Sequence, residues 1–219
     1  MNAVALFSGG KDSTYSIYLA MQQGYDIKRL ITIYPKERES FMYHIPMIER
    51  TALLSEAMGI ERDVYRIGDD MASLKNVLKN YDVDAVISGA IASNYQKTKI
   101  EEVCTDLGFI SYAPLWGKEQ KLILKDIISA GFKVIIIGVY AYGLDERHLG
   151  LELNDDFLRV LIALEKKYRI NVAGEGGEYE SFVLDAPFFK KRVVVDSYNK
   201  VWNGVRGELV IEKLHLEEK

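Results

Sequence analysis

With 219 residues, 48% of them hydrophobic and 27% charged, the chain has the make-up of an ordinary globular protein of one large or two small domains, which excludes disorder as its main state. Its 28 lysines and arginines stand against 32 aspartates and glutamates, giving a net charge of −4 and a pI near 5.5, a poor surface for nucleic acid or an anionic membrane. One cysteine, Cys104, excludes an internal disulfide and a multi-cysteine zinc site.

The chain opens MNAVALFSGG, with no basic region ahead of a long apolar stretch, so no signal peptide is read. The longest apolar run, near Val134 to Ala141, is too short to span a bilayer. The expectation is a soluble, cytoplasmic protein. Ala3 to Phe7 is a continuous apolar run stopping at Ser8-Gly9-Gly10, the pattern of a buried parallel strand entering a turn. Ile17, Ala20 and Met21 recur at helical spacing until Gly24 stops them. Leu30 to Tyr34 reads as a second strand, ended by Pro35. Pro46 opens a helix whose buried face is Ile48, Ala52, Ser55 and Met58, with Gly59 closing it. Asp63 to Ile67 is a third strand, followed by a helix on Leu74, Val77 and Leu78. Val83 to Ile87 is a strand ending in Ser88-Gly89-Ala90, and the next helix uses Ile100, Val103, Cys104 and Leu107. This alternation predicts a doubly wound, mainly parallel α/β sheet over residues 1–116.

Past Trp116 the pattern changes. A helix at Leu122 to Ile128, a β-rich run at Lys133 to Tyr140 and a helix with Phe157, Leu161, Leu164 and Tyr168 on one face come first. Short strands follow at Ser181 to Leu184, Arg192 to Asp196 and Glu208 to Leu214, punctuated by Gly176-Gly177, Pro187 and Gly204. Residues 117–219 therefore read as a smaller α+β domain.

The sharpest chemical signal is Ser8-Gly9-Gly10-Lys11-Asp12-Ser13, between a buried strand and a helix. Adjacent glycines let the backbone turn tightly and leave its N–H groups bare. The helix start adds free donors and the positive end of a dipole. Ser8 and Ser13 add hydroxyls and Lys11 a cation, so a phosphate fits; a plain glycine turn with Ser13 as helix cap is the alternative. It is not a Walker A loop, because the glycines are adjacent and Asp12 follows the lysine. Asp12 and Ser13 are expected in a surface loop, outside the core.

A second cluster is Ser88-Gly89-Ala90 at the carboxyl end of a strand, where open α/β sheets bind ligands. Gly89 permits either approach of a nucleotide or close helix–strand packing. Tyr95, Gln96, Lys97 and Lys99 follow at a helix start, as a polar site or as a solvated helix end. The third cluster, Gly174-Glu175-Gly176-Gly177-Glu178-Tyr179-Glu180, carries three carboxylates and reads as an exposed acidic turn or as a negative pocket for a cation or a Mg²⁺-bound phosphate. It is not a dinucleotide fingerprint, since Tyr179 takes the sixth position and no long helix follows. His44, His148 and His215 show no metal spacing, and no metal ligand is assigned.

Ser-Gly-Gly-Xaa-Asp-Ser resembles the PP-loop of the N-type ATP pyrophosphatases, with their HUP-like α/β fold. Over nearly its whole length the chain resembles the diphthine–ammonia ligase family. The resemblance rests on Ser8 to Ser13, Ser88-Gly-Ala90 with Tyr95-Gln96, Leu115-Trp116, Gly143-Leu144-Asp145 with His148-Leu149-Gly150, Gly174 to Glu180, and Leu184-Asp185-Ala186-Pro187. The acidic block joined to the downstream Asp-Ala-Pro is what selects the family. Lys97 and Lys99 stand where arginines are expected, keeping charge but losing the bidentate fork, and Ser181 replaces a usual threonine.

The resemblance implies ATP and Mg²⁺, ammonium as nitrogen donor, and elongation factor 2 as protein substrate, with no nucleic acid or membrane partner. It implies an acyl adenylate, with release of AMP and pyrophosphate. The implied ATP site is Ser8, Gly9, Gly10, Lys11, Asp12, Ser13, Ile33, Tyr34 and Gly89, with adenine near Ile33 and Tyr34. The implied substrate site is Tyr95, Gln96, Lys97, Lys99, Glu175, Gly176, Gly177, Glu178, Tyr179 and Glu180. Lys11, Asp12 and Glu178 are the expected catalytic residues. Glu175, Glu178, Glu180 and Tyr179 suit the quaternary ammonium of diphthine through charge and cation–π contact. Two alternatives stay open: a PP-loop enzyme modifying tRNA, and a non-catalytic nucleotide sensor.

Overall fold

Each strand of the first half is followed by a helix that carries the chain back, so all five strands run the same way. The structure, a computed structural model, describes residues 1–36 and 50–219. The elements are β1 (Asn2–Leu6), α1 (Lys11–Gln22), β2 (Asp26–Pro35), α2 (Thr51–Met58), β3 (Arg62–Ile67), α3 (Met71–Leu78), β4 (Ala85–Ile87), α4 (Asn94–Leu107) and β5 (Ile110–Tyr112). The sheet order is β3-β2-β1-β4-β5, with every pair parallel. This is the expected doubly wound sheet. The chain winds outward from β1 to β3 and then returns to β4 on the other side, so β1 and β4 flank the switch point where a crevice opens. On one face Val4, Ile31 and Val86 pack with Leu74 and Leu78 of α3 and Ile100, Val103 and Cys104 of α4.

Three local differences have plain causes. β2 begins at Asp26, four residues before Leu30, because Asn2 and Ala3 pair with Asp26 and Ile27 and draw polar Lys28 and Arg29 into the strand. β5, absent from the sequence reading, is a three-residue edge strand whose Ile110 is exposed, so no apolar run marks it. In α2 the buried residues are Thr51, Leu54, Ala57 and Met58, while Ala52 is exposed, so the apolar stripe is offset from the expected one. Pro46, Ile48 and His44 lie outside the described residues.

The second half contains α5 (Gln120–Ser129), β6 (Lys133–Val139), a single 3-10 turn (Glu146–His148), α6 (Asp155–Tyr168), β7 (Tyr179–Asp185), β8 (Lys191–Trp202) and β9 (Gly207–Glu218). Its sheet is antiparallel, in the order β7-β6-β9-β8. β8 and β9 form a hairpin of two 12-residue strands, far longer than expected. The outer half of β8 carries exposed Asn199, Lys200 and Val201, which give no apolar signal, and cross-strand pairing alone holds it in register. The chain divides into two compact units, residues 1–117 and 118–219. Among the described residues no helix is long and apolar enough to cross a membrane.

Candidate functional site

The site of the first unit is built from backbone. Phe7 N–H donates to Ile31 O at 2.9 Å, which keeps the chain on the sheet one residue past β1. Gly9 then turns it with φ +83°, a conformation in which other residues are strained. Gly10 is the N-cap of α1, extended, and among the described residues no side chain caps the helix there. Helix starts leave N–H groups without intrahelical partners, and a Ser, Thr, Asp or Asn cap usually accepts from them. Here the nearby hydroxyls turn the other way. Ser13 Oγ and Thr14 Oγ1 both donate to Gly10 O, at 3.1 and 2.9 Å, and Ser8 Oγ lies 3.2 Å from Ser13 Oγ. Ser13 is therefore not the cap that the plain reading of the loop required. The positive end of a 12-residue helix is left facing a tight turn, which is the arrangement that binds anions.

Asp12 and Ser13, expected in a surface loop, stand instead in the first turn of α1, Asp12 partly buried and Ser13 buried. Lys11 is 3% exposed and Ser13 is buried, because α1 starts against the sheet and its first turn packs inward. Lys11 Nζ pairs with Asp12 Oδ2 at 2.9 Å. The other oxygen, Asp12 Oδ1, is buried and has no hydrogen-bond partner among the described residues. A carboxylate oxygen in that state is costly until a cation or donor reaches it.

Gly89 follows β4 across the switch point. A Cβ on it would stand 2.8 Å from Ser13 N, 2.9 Å from Ser13 Cα and 3.0 Å from the Asp12 carbonyl carbon. Its missing side chain is replaced by the backbone of α1, the close approach that the packing reading of this glycine requires. Ser88 N–H donates to Tyr112 O at 3.0 Å, anchoring the turn from the other side. At the end of β2, Ile33 is buried and Tyr34 lies partly exposed beneath the Arg66 guanidinium, 5.9 Å from its ring centre.

At the start of α4 Ser93 caps the helix, accepting from Gln96 N–H at 3.4 Å. Tyr95 is exposed, with Lys99 Nζ 3.9 Å over its ring and donating to its hydroxyl and to Asp69 O. Lys97 pairs with Glu101 at 2.5 Å and lies 5.1 Å over the Trp116 ring. Each lysine thus has a local anchor and a cationic head held near an aromatic face.

The acidic segment of the second unit separates into unlike residues. Glu178 Oε1 accepts from Asn171 N–H (2.8 Å) and Asn171 Nδ2 (2.6 Å), and Oε2 accepts from Gly176 N–H (2.8 Å). Its carboxylate closes the 171–178 loop on itself, an arrangement that holds backbone rather than substrate. Tyr179 is 3% exposed, donates to Val172 O at 2.9 Å and meets Phe157 edge-on, so its ring is packed rather than presented. Glu175 is partly buried. Glu180 is partly buried on β7, and burial reinforced by the charge of Glu208 pushes its carboxyl up to about 8. Glu208, on β9, and Tyr140, just past β6, were not singled out by sequence; only the fold brings them to Glu180.

The Gly143-Leu144-Asp145 and His148-Leu149-Gly150 motifs flank the 3-10 turn, with Leu144 and Leu149 buried. His148 Nδ1 accepts from Asp145 N–H at 3.0 Å, a reciprocal cap. His215 lies between Asp196 and Glu217. Among the described residues no group of three or more metal-binding side chains is assembled.

Residues 1–111 match the family model described as diphthamide synthase N-terminal domain, and residues 119–216 the one described as diphthamide synthase C-terminal domain. A relative named diphthine–ammonia ligase from Mus musculus is 36% identical over 251 residues, covering 100% of this chain and 94% of that one. One of the same name from Danio rerio is 35% identical, covering 100% and 98%. In Saccharomyces cerevisiae the like-named relative is 35% identical over 87% of this chain but only 34% of its own length. A Methanocaldococcus jannaschii structure described as a predicted subunit of tRNA methyltransferase aligns with TM-score 0.48 at 15% identity, over 85% of this chain and 98% of that one, too loosely to argue from.

Proposed function

The chain belongs to the diphthamide synthase family, and from that membership we propose that it is an ATP-dependent ligase converting diphthine on elongation factor 2 to diphthamide. The substrate carboxylate attacks the α-phosphorus of ATP, forming an acyl–phosphate bond as the bond to pyrophosphate breaks. Ammonia then adds to the acyl carbon, and AMP leaves with the electron pair of the C–O bond. The single observation that supports this most is the start of α1 at the β1/β4 switch point, where adjacent glycines lead into a helix that no side chain among the described residues caps. Charge develops there on the departing pyrophosphate, and fixed backbone donors meet it without reorganising; one such donor is typically worth about 10²–10³-fold in rate.

Ser8 to Ser13 hold the phosphates, and Ile33 and Tyr34 receive the adenine. Asp12, whose buried Oδ1 has no hydrogen-bond partner among the described residues, is the group suited to the Mg²⁺ ion that accompanies a nucleoside triphosphate. When bound, that ion neutralises phosphate charge. Lys97 and Lys99, held beside Trp116 and Tyr95, supply further positive charge for anionic groups.

The test is reconstitution. Purified chain, ATP, ammonium chloride and diphthine-bearing elongation factor 2 are expected to give AMP, pyrophosphate and a modified histidine lighter by the exchange of hydroxyl for amine, read by mass spectrometry. ATP binding without turnover makes the protein a sensor and overturns the reading. Turnover that depends on tRNA instead of the protein substrate overturns it in favour of an RNA-modifying enzyme.

A further inference from the structure

Ser13, Thr14 and Ser16 bring three aliphatic hydroxyls to the start of α1, and the helix uses them differently. Ser13 and Thr14 donate back to Gly10 O, the local bond that a hydroxyl in a helix usually makes. Ser16 is fully buried, and its Oγ has no hydrogen-bond partner among the described residues. Asp12 stands four residues before it, one turn away on the same face of the helix. Side chains of a helix lean towards its N-terminus, so Ser16 leans back over the turn that carries Asp12. Asp12 Oδ1 is likewise buried and without a partner among the described residues, while Oδ2 holds Lys11 Nζ at 2.9 Å. No hydrogen bond joins Ser16 Oγ to Asp12 Oδ1. Two buried polar atoms one turn apart, a hydroxyl that can donate and a carboxylate oxygen that accepts, each carry a desolvation cost. One small polar molecule between them removes both costs.

We propose that one water molecule is bound between Ser16 Oγ and Asp12 Oδ1, and that Ser16 acts through it as a positioning residue for Asp12. The water accepts from the Ser16 hydroxyl and donates to the carboxylate oxygen. Its chemistry fits the place better than a bare cation does. Lys11 already lies on Oδ2, and a second positive charge on the same carboxylate would be repelled by that ammonium, whereas a water brings no net charge. The backbone of this turn is packed closely on Gly89 at Asp12 and Ser13, so the carboxylate is the part left to hold. Lys11 holds one of its oxygens and the water the other. Mg²⁺ usually keeps several of its waters when it binds, so the ion and the held water do not exclude one another. That link to the ion rests on the ligase reading above; the bound water does not.

Three measurements on the full chain test this. The first is a double-mutant cycle in urea titration, with Ser16→Ala, Asp12→Ala and the pair. A dry buried hydroxyl costs the folded state, and alanine favours a helix, so its removal would raise the midpoint. With the water bound, Ser16→Ala is expected to lower the midpoint in the wild-type background, and to leave it unchanged or raise it once Asp12 is alanine. Equal shifts in the two backgrounds overturn the inference. The second is a high-resolution crystal structure of the nucleotide-free chain, expected to show an ordered water within about 3.2 Å of both oxygens. Either oxygen bonded elsewhere in the protein, or a metal ion in that place, overturns it. The third reads the positioning. In Ser16→Ala the Mg²⁺ concentration for half-maximal pyrophosphate release is expected to rise by about tenfold, with turnover at saturating Mg²⁺ within about twofold of wild type. An unchanged Mg²⁺ requirement removes Ser16 from the positioning role. If the wild-type chain releases no pyrophosphate, the ligase reading fails, while the cycle and the crystal structure still decide whether the water is bound.

Discussion

The glycine-rich segments Ser8–Ser13 and Gly174–Glu180 look alike in sequence and are built in opposite senses. In the first, the glycines strip away side chains, and among the described residues no side chain caps the helix that follows. In the second, the glycines let the chain fold back until Glu178 has taken up the N–H of Gly176 and both nitrogens of Asn171. One loop leads into a helix start without a side-chain cap among the described residues, and the other is closed on its own acid. Glycine content announces that backbone will approach something closely, and only the location of the complementary group says whether that something is a ligand.

Gly89→Ala strikes the open loop hardest. Its new Cβ meets backbone atoms of Asp12 and Ser13 at 2.8 to 3.0 Å, and backbone cannot swing aside as a side-chain end can. The expected result is loss of ATP-dependent pyrophosphate release by about 10²-fold or more, with a stability loss of about 1–3 kcal/mol in urea titration. Near-normal turnover would detach the start of α1 from the site. Asp12→Asn comes next, expected to raise the Mg²⁺ concentration for half-maximal turnover by about tenfold or more; an unchanged Mg²⁺ dependence removes Asp12 from that role.

Glu178→Ala tests the closed loop. Three donors lose their acceptor, so a stability loss of about 1–3 kcal/mol is expected, together with faster amide exchange at Asn171 and Gly176. Exchange that stays slow means the carboxylate is not what closes the loop. A separate measurement on the same segment is the pH signature of Glu180. Its folded value, about 8, lies above its unfolded one, so the folded chain keeps a proton that the unfolded chain releases. That contribution is complete below the ordinary glutamate range and is lost as pH rises through about 8. The denaturant midpoint of the wild type relative to Glu180→Gln is therefore expected to fall across that window. A flat difference contradicts the burial argument.

The doubly wound sheet was legible because buried parallel strands are continuous apolar runs, and Ala3 to Phe7 or Leu30 to Tyr34 have no other easy reading. β5 and the outer half of β8 were not legible, since Ile110 and Val201 are exposed and held by pairing with neighbours distant in sequence. The glycine turn that opens α1 was readable in six consecutive residues, because backbone donors and glycines are local. The roles within Gly174–Glu180 were not. Whether an acid is clamped, like Glu178, or desolvated, like Glu180, depends on Asn171, Tyr140 and Glu208, which no spacing rule connects to it.

Cys104 gives the smallest expected effect and the same lesson. It is buried on the inner face of α4 beside Ile100 and Val103, and burial pushes its thiol up to about 11, against a weaker pull from Ser111. A nucleophilic cysteine needs the thiolate near neutral pH and an open approach, and this one has neither. The ammonia is therefore expected to come from solution. Cys104→Ser is expected to keep ammonium-dependent amidation within about twofold, with a stability loss of about 1 kcal/mol from burying a hydroxyl. Glutamine in place of ammonium is expected to give no amide, and iodoacetamide to leave the folded chain unmodified. Glutamine-dependent amidation abolished by Cys104→Ser would make the thiol a working group despite its surroundings. It would also break the rule that the two glycine loops support: a side chain's chemistry in this protein is set by what already surrounds it.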